Sequence, residues 1–191
     1  MKSILLRSLA LLLLLFLAAC GTTGGRDPQS TMIRYGSNSP AENHVRIAKG
    51  YLEQGQMVFA LEKAQEAVKI DRHHVEAQVV LALIYQRMGD SRQAAKHYSR
   101  AKKLAPNDPL VANAYGTFLC AERRYPEADA EFTMAAASTM NLSPWVASTN
   151  AGLCLESSGQ YTLAATRMRQ ALQQNPGYIP AKKGMARLKK H

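Results

Sequence analysis

The chain has 191 residues, with 24 Lys and Arg against 14 Asp and Glu and a formal charge of +10 at pH 7. That length supports one domain with a real core, and that charge favours anionic partners. An acidic protein surface, anionic lipid headgroups or a cell-wall polymer fit, whereas nucleic acid is set aside by the export signal at the start of the chain.

Residues 1–19 read as a signal peptide. Lys2 and Arg7 supply the charged region, Leu9 to Leu17 the apolar core, and Ala18 and Ala19 the small residues before a cut. The apolar stretch from Ile4 to Ala19 is interrupted by Arg7 and falls short of the ~20 residues a membrane span needs. The plainer alternatives are a transmembrane anchor or an ordinary signal peptide with a chance Cys. Leu17-Ala18-Ala19-Cys20 resembles the lipobox of bacterial lipoproteins. The resemblance implies diacylglycerol and an N-acyl chain on Cys20, and each buried methylene would add ~0.8 kcal/mol to membrane attachment. Gly21 stands where Asp is linked to inner-membrane retention, so the expected location is the outer membrane, with the domain facing the periplasm.

Residues 20–39 follow as the acylated Cys and a flexible tether, GTTGGRDPQSTMIRYGSNS, rich in Gly and small polar residues. Met32, Ile33 and Tyr35 are its candidates for local docking.

From residue 40 to 191 the chain repeats itself. Ala48, Ala82, Gly116 and Gly152 recur as small residues, and Ala60, Ala94, Ala128 and Ala164 follow each of them at the same interval. Ala64, Tyr98, Phe132 and Met168 come next, then Ala67, Ala101, Ala135 and Ala171. The pattern resembles the tetratricopeptide repeat, a 34-residue pair of helices. It predicts an all-α right-handed superhelix of units at about 41–74, 75–108, 109–142 and 145–178, with a capping helix over 179–191. Gly55, Gly89 and Gly159 mark the turns inside three units, and Arg123-Arg124-Tyr125-Pro126 takes that place in the third. Two extra residues lie near Ser143-Pro144.

The motifs of enzymes are missing: no phosphate-binding glycine loop, no HExxH, and no serine elbow with a plausible base. His73-His74 are neighbours, which rarely point at one metal, and read as an inter-unit loop. No metal, cofactor, small-molecule substrate or catalysis is expected. Cys120 and Cys154 both lie on the first helices of their units, so a disulfide is geometrically conceivable; two buried thiols are the alternative.

In the tetratricopeptide family the inner face is lined by the first helix of each unit. Carried over, it is formed by Glu42, Val45, Lys49, Leu52 and Glu53, then by Glu76, Val79, Leu83, Gln86 and Arg87. The later units contribute Leu110, Asn113, Thr117, Cys120 and Ala121, then Val146, Thr149, Leu153, Glu156 and Ser157. Val45, Lys49, Leu52, Glu53, Val79, Leu83, Gln86 and Arg87 are the candidate groove, an apolar strip bordered by charge that suits a helix or an extended peptide. The alternative is that its aliphatic residues pack only against neighbouring helices.

The first unit, AENHVRIAKGYLEQGQMVFALEKAQEAVKID, and the later stretches NAYGTFLCAERRYPEAD and WVASTNAGLCLESSGQY are similar to repeats of the PilF/PilW family. Ile47-Ala48 stands where that family has Leu-Gly. Its members are type IV pilus biogenesis and stability lipoproteins. The resemblance implies a pilotin that binds the pilus secretin and promotes its outer-membrane localisation and multimerisation. The rivals are a periplasmic scaffold that recruits cell-wall enzymes and a subunit of an outer-membrane assembly machine.

Overall fold

A computed structural model describes residues 39–189, and the expectations for residues 1–38, Cys20 among them, lie outside that span. The described residues form nine helices. They are α1 (Pro40–Glu53), α2 (Met57–Ile70), α3 (Val75–Arg87), α4 (Ser91–Leu104), α5 (Pro109–Ala121), α6 (Tyr125–Ala137), α7 (Pro144–Ser157), α8 (Tyr161–Gln174) and α9 (Ile179–Leu188). Helices α1, α3, α5 and α7 each pack on the even helix that follows, α9 packs on α8 before it, and α1, α3, α5, α7 and α9 touch in succession. The first helices of the units therefore share one side of the array.

Helix α1 shows how the sequence sets an element. Ala41, Val45, Ala48 and Leu52 fall on one helical stripe and are buried, while the other faces meet solvent. The Ser39 hydroxyl accepts the Glu42 N–H at 3.1 Å, and Pro40, which has no N–H to satisfy, opens the first turn. Asp108 caps α5 in the same way, accepting the N–H groups of Leu110 and Val111.

The turn inside every unit has one geometry. The N–H groups of Gln56, Asp90, Arg124 and Gln160 donate to the carbonyls of Tyr51, Tyr85, Leu119 and Leu155, each at 2.9 Å. This is the six-to-one bond of a Schellman ending, and it needs a left-handed residue just before the donor. Gly55, Gly89 and Gly159 supply it with φ of 73°, 81° and 79°; Arg123 adopts φ 60° in the third unit. The turn is therefore kept there without its glycine.

Between the two helices of a unit, small residues receive large ones. A Cβ on Gly116 would sit 2.9 Å from the Phe132 ring, and one on Gly152 would sit 2.9 Å from the Met168 side chain. Phe132 and Met168 are buried as a result. The loop from Ser138 to Ser143 is two residues longer than the loops at 71–74 and 105–108, and Asn141 stitches it by donating to the Ala135 carbonyl at 2.8 Å.

Candidate functional site: a pocket between the first helices of three units

Helices α1, α3 and α5 line an open pocket of about 540 Å³. Leu52, Val75, Val79, Val80, Leu83, Leu110 and Val111 make its apolar surface, and Lys49, Glu53, Glu76 and Arg87 its charged rim. Helical spacing explains why they converge. Lys49, Leu52 and Glu53 occupy one side of the last turn and a half of α1, and Val75, Glu76, Val79, Val80, Leu83 and Arg87 run along the facing side of α3. Leu110, in the first turn of α5, is 57 % exposed, so a large apolar side chain is held open to solvent beside the pocket.

The rim is ordered by ionic contacts. Lys49 donates to Glu76 at 2.9 Å across the two units, and this bond to the carboxylate raises the Lys49 ammonium above its ordinary range. The Arg87 guanidinium reaches back to the Leu52 carbonyl at 3.4 Å, a long bond that ties the end of α3 to the end of α1. Glu53 is exposed and has no ion-pair partner among the described residues. Apolar contact inside and both signs of charge outside describe a peptide-binding surface.

Of the eight residues read as groove from the sequence, Lys49, Leu52, Glu53, Val79, Leu83 and Arg87 line the pocket. Val45 does not: it is fully buried among Ala48, Ala64 and Leu81 and belongs to the core between α1 and its neighbours. Gln86 lies outside the lining, and its side-chain oxygen accepts the Tyr98 hydroxyl at 3.0 Å. Burial pushes the Tyr98 phenol up to about 12, so it remains a donor to Gln86 across the accessible pH range. Val75, Val80 and Val111 were not predicted as lining; they sit one residue beside the family's inner positions, where sequence spacing alone reads them as core.

His74 has a structural task. Its Nδ1 accepts the Ala77 N–H at 3.2 Å, capping α3, and its Nε2 lies 3.1 Å from Glu42 on α1. Among the described residues no three His, Cys, Asp or Glu side chains converge as a metal site. Cys120 and Cys154 are joined by a disulfide that links α5 to α7, with Cα atoms 5.8 Å apart. It closes a loop across a sequence separation of 34 residues, beside Phe118 and Leu119 of the central core.

A tetratricopeptide-repeat family model matches residues 51–118, the span holding the end of α1, all of α3 and most of α5. The crystal structure of PilW, titled a widely conserved type IV pilus biogenesis factor, superposes with a TM-score of 0.75 over 81 % of this chain and 70 % of PilW, at 29 % identity. The described residues have the tetratricopeptide-repeat fold. Two curated proteins are similar to this chain in sequence. The type IV pilus assembly protein PilF of Pseudomonas aeruginosa is 29 % identical over 63 % of this chain and 47 % of its own length. An uncharacterised protein of Haemophilus influenzae is 30 % identical over 50 % of this chain and 53 % of its own. The chain thus spans about half the length of the curated relatives it matches. The solved structure of Pseudomonas aeruginosa PilF shares the tetratricopeptide fold, with a TM-score of 0.72 over 78 % of this chain and 67 % of that one.

Proposed function

We propose that this chain is an outer-membrane lipoprotein of type IV pilus biogenesis that acts as a pilotin. In this reading Cys20 carries the lipid, and the pocket between α1, α3 and α5 grips a segment of the pilus secretin. The domain thereby escorts the secretin to the outer membrane and favours its multimer. The observation that carries the reading is the open apolar pocket in a repeat array similar to PilF and PilW. Its surface is suited to holding an amphipathic segment, with Leu83 and Leu110 meeting apolar side chains and Glu53 and Arg87 selecting charge at the rim. We assign the chain no catalytic step and no cofactor beyond the acyl chains.

The test is co-purification from detergent-solubilised outer membranes. Wild-type protein should bring down the secretin, and Leu110→Glu should lose it while the helical signal and melting temperature stay unchanged. Co-purification of a cell-wall hydrolase or a β-barrel insertase in place of secretin would sink the proposal. Cys20→Ala should leave the protein unacylated and the secretin mislocalised or monomeric.

A further inference from the structure

Helix α4 is divided lengthwise. Ala94, Tyr98 and Ala101 are buried on one side. On the opposite side Arg92, Lys96, Arg100 and Lys103 are all exposed. At 3.6 residues per turn these four cations fall within about 80° of arc, and at 1.5 Å per residue they form a row roughly 16 Å long.

Among the described residues none of the four has an ion-pair partner, although carboxylates lie nearby. Glu131 is taken by Lys102, Glu122 accepts the Ser91 hydroxyl at 2.7 Å, and Asp90 caps the helix through the Gln93 N–H. Arg100 donates instead to the Arg72 carbonyl at 3.2 Å, which brings another exposed Arg beside the row. These acids point to caps and inter-helix ties, and among the described residues none of them forms a salt bridge with the row. Its field is felt inside the fold: burial first, then Lys96 and Arg100, hold the His97 imidazolium below its ordinary range.

The exposed face of α4 carries no large apolar side chain and lines no described pocket. Protein interfaces centre on desolvated anchors seated in pockets, and this face offers neither an aromatic or apolar anchor nor a pocket. A straight row of long, unpaired cations on a convex helix matches diffuse negative charge spread over a plane. We propose that this face of α4 rests on the bilayer surface and binds the headgroups of anionic phospholipids. Proximity rests on the reading of Cys20 as the anchor. Between Cys20 and Ser39 lie residues 21–38, whose extended reach of roughly 60 Å allows the domain to turn α4 toward its own membrane.

The experiment uses the protein purified from membranes and reconstituted in liposomes of phosphatidylcholine alone or with phosphatidylglycerol. A water-soluble amine reagent is followed lysine by lysine by mass spectrometry. Phosphatidylglycerol should slow labelling of Lys96 and Lys103 by roughly fivefold or more and leave exposed Lys183 on α9 unchanged. High salt should abolish the difference. The double variant Arg92→Glu/Arg100→Glu, checked for folding by circular dichroism, keeps both reporter lysines and should label equally in the two liposomes. Equal labelling of the wild type in both, slowing of Lys183 as large as that of Lys96, or protection that appears only with an acidic protein overturns the proposal. Intact mass of the same preparation reports the acyl chains separately, so an idle α4 and an absent anchor give different results. An unacylated chain is tested by flotation with the same vesicles.

Discussion

At the scale of single residues, two substitutions separate packing from backbone conformation. The Cβ of Gly116→Ala would meet the Phe132 ring at 2.9 Å, and a buried ring has nowhere to swing. Overpacking of this kind costs about 1–3 kcal/mol, read as a lower midpoint in urea unfolding. Gly184→Ala meets the flexible end of Met168, so its cost should be smaller despite the closer 2.5 Å approach. Arg123 pays for its left-handed φ of 60°, so Arg123→Gly should stabilise the protein by about 0.5–1 kcal/mol, whereas Gly55→Ala should destabilise it by a similar amount. His97 provides a pH signature. Its Nδ1 meets the side-chain oxygen of buried Gln78 at 2.8 Å, its ring stacks on Tyr85, and burial depresses its folded-state pKa below 6.5. The unfolded chain therefore binds the proton first. The stability His97 contributes is present above pH ~6.5 and is lost as pH falls below it. Thermal melts of wild type and His97→Gln should diverge less at pH 5.5 than at pH 7.5, and an unchanged gap would contradict the assignment.

At the scale of helices and units, the disulfide between α5 and α7 closes a loop across 34 residues. Loop-closure entropy assigns such a bridge about 3–4 kcal/mol. Reduction, or the pair Cys120→Ser/Cys154→Ser, should lower unfolding stability by that order, with thiol titration before and after reduction as the check. The helices were legible because small residues and Ala recur at positions that only paired helices require, and the Gly turns punctuate them. The third turn was legible as well, since Arg123-Arg124-Tyr125-Pro126 stands in register with the glycines and Pro126 enters the first turn of α6. The pocket was readable only in part. Lys49, Leu83 and Arg87 follow from helical spacing, but Val45 and Val80 differ by a small rotation of their helices about their axes. That rotation is set by how α1, α3 and α5 pack, and no local pattern contains it.

For the molecule as a whole, the open pocket and the cation row of α4 lie on different helices among the described residues. The pocket lies on the side where the first helices meet, and the unpaired cations of α4 lie on a second helix, facing outward. Ionic contacts such as Arg167 with Asp129 at 2.8 Å and Arg187 with Glu156 at 2.7 Å tie later helices together. Asp129→Asn should therefore loosen α6 against α8 by about 1 kcal/mol without changing what binds at α1, α3 and α5. Partner capture by Asp129→Asn and by Leu83→Glu tests that separation, the first expected to be normal and the second to fall by at least about tenfold.

The bridge between α5 and α7 also sets how the chain would yield to force. If the described domain is pulled between residue 39 and α9, the segment from Cys120 to Cys154 lies on the load path. The polypeptide between Cys120 and Cys154 cannot lengthen while the sulfurs are joined. Breaking the bond would release roughly 110 Å of extra contour, so the oxidised protein is a short-travel spring and the reduced one a long-travel spring.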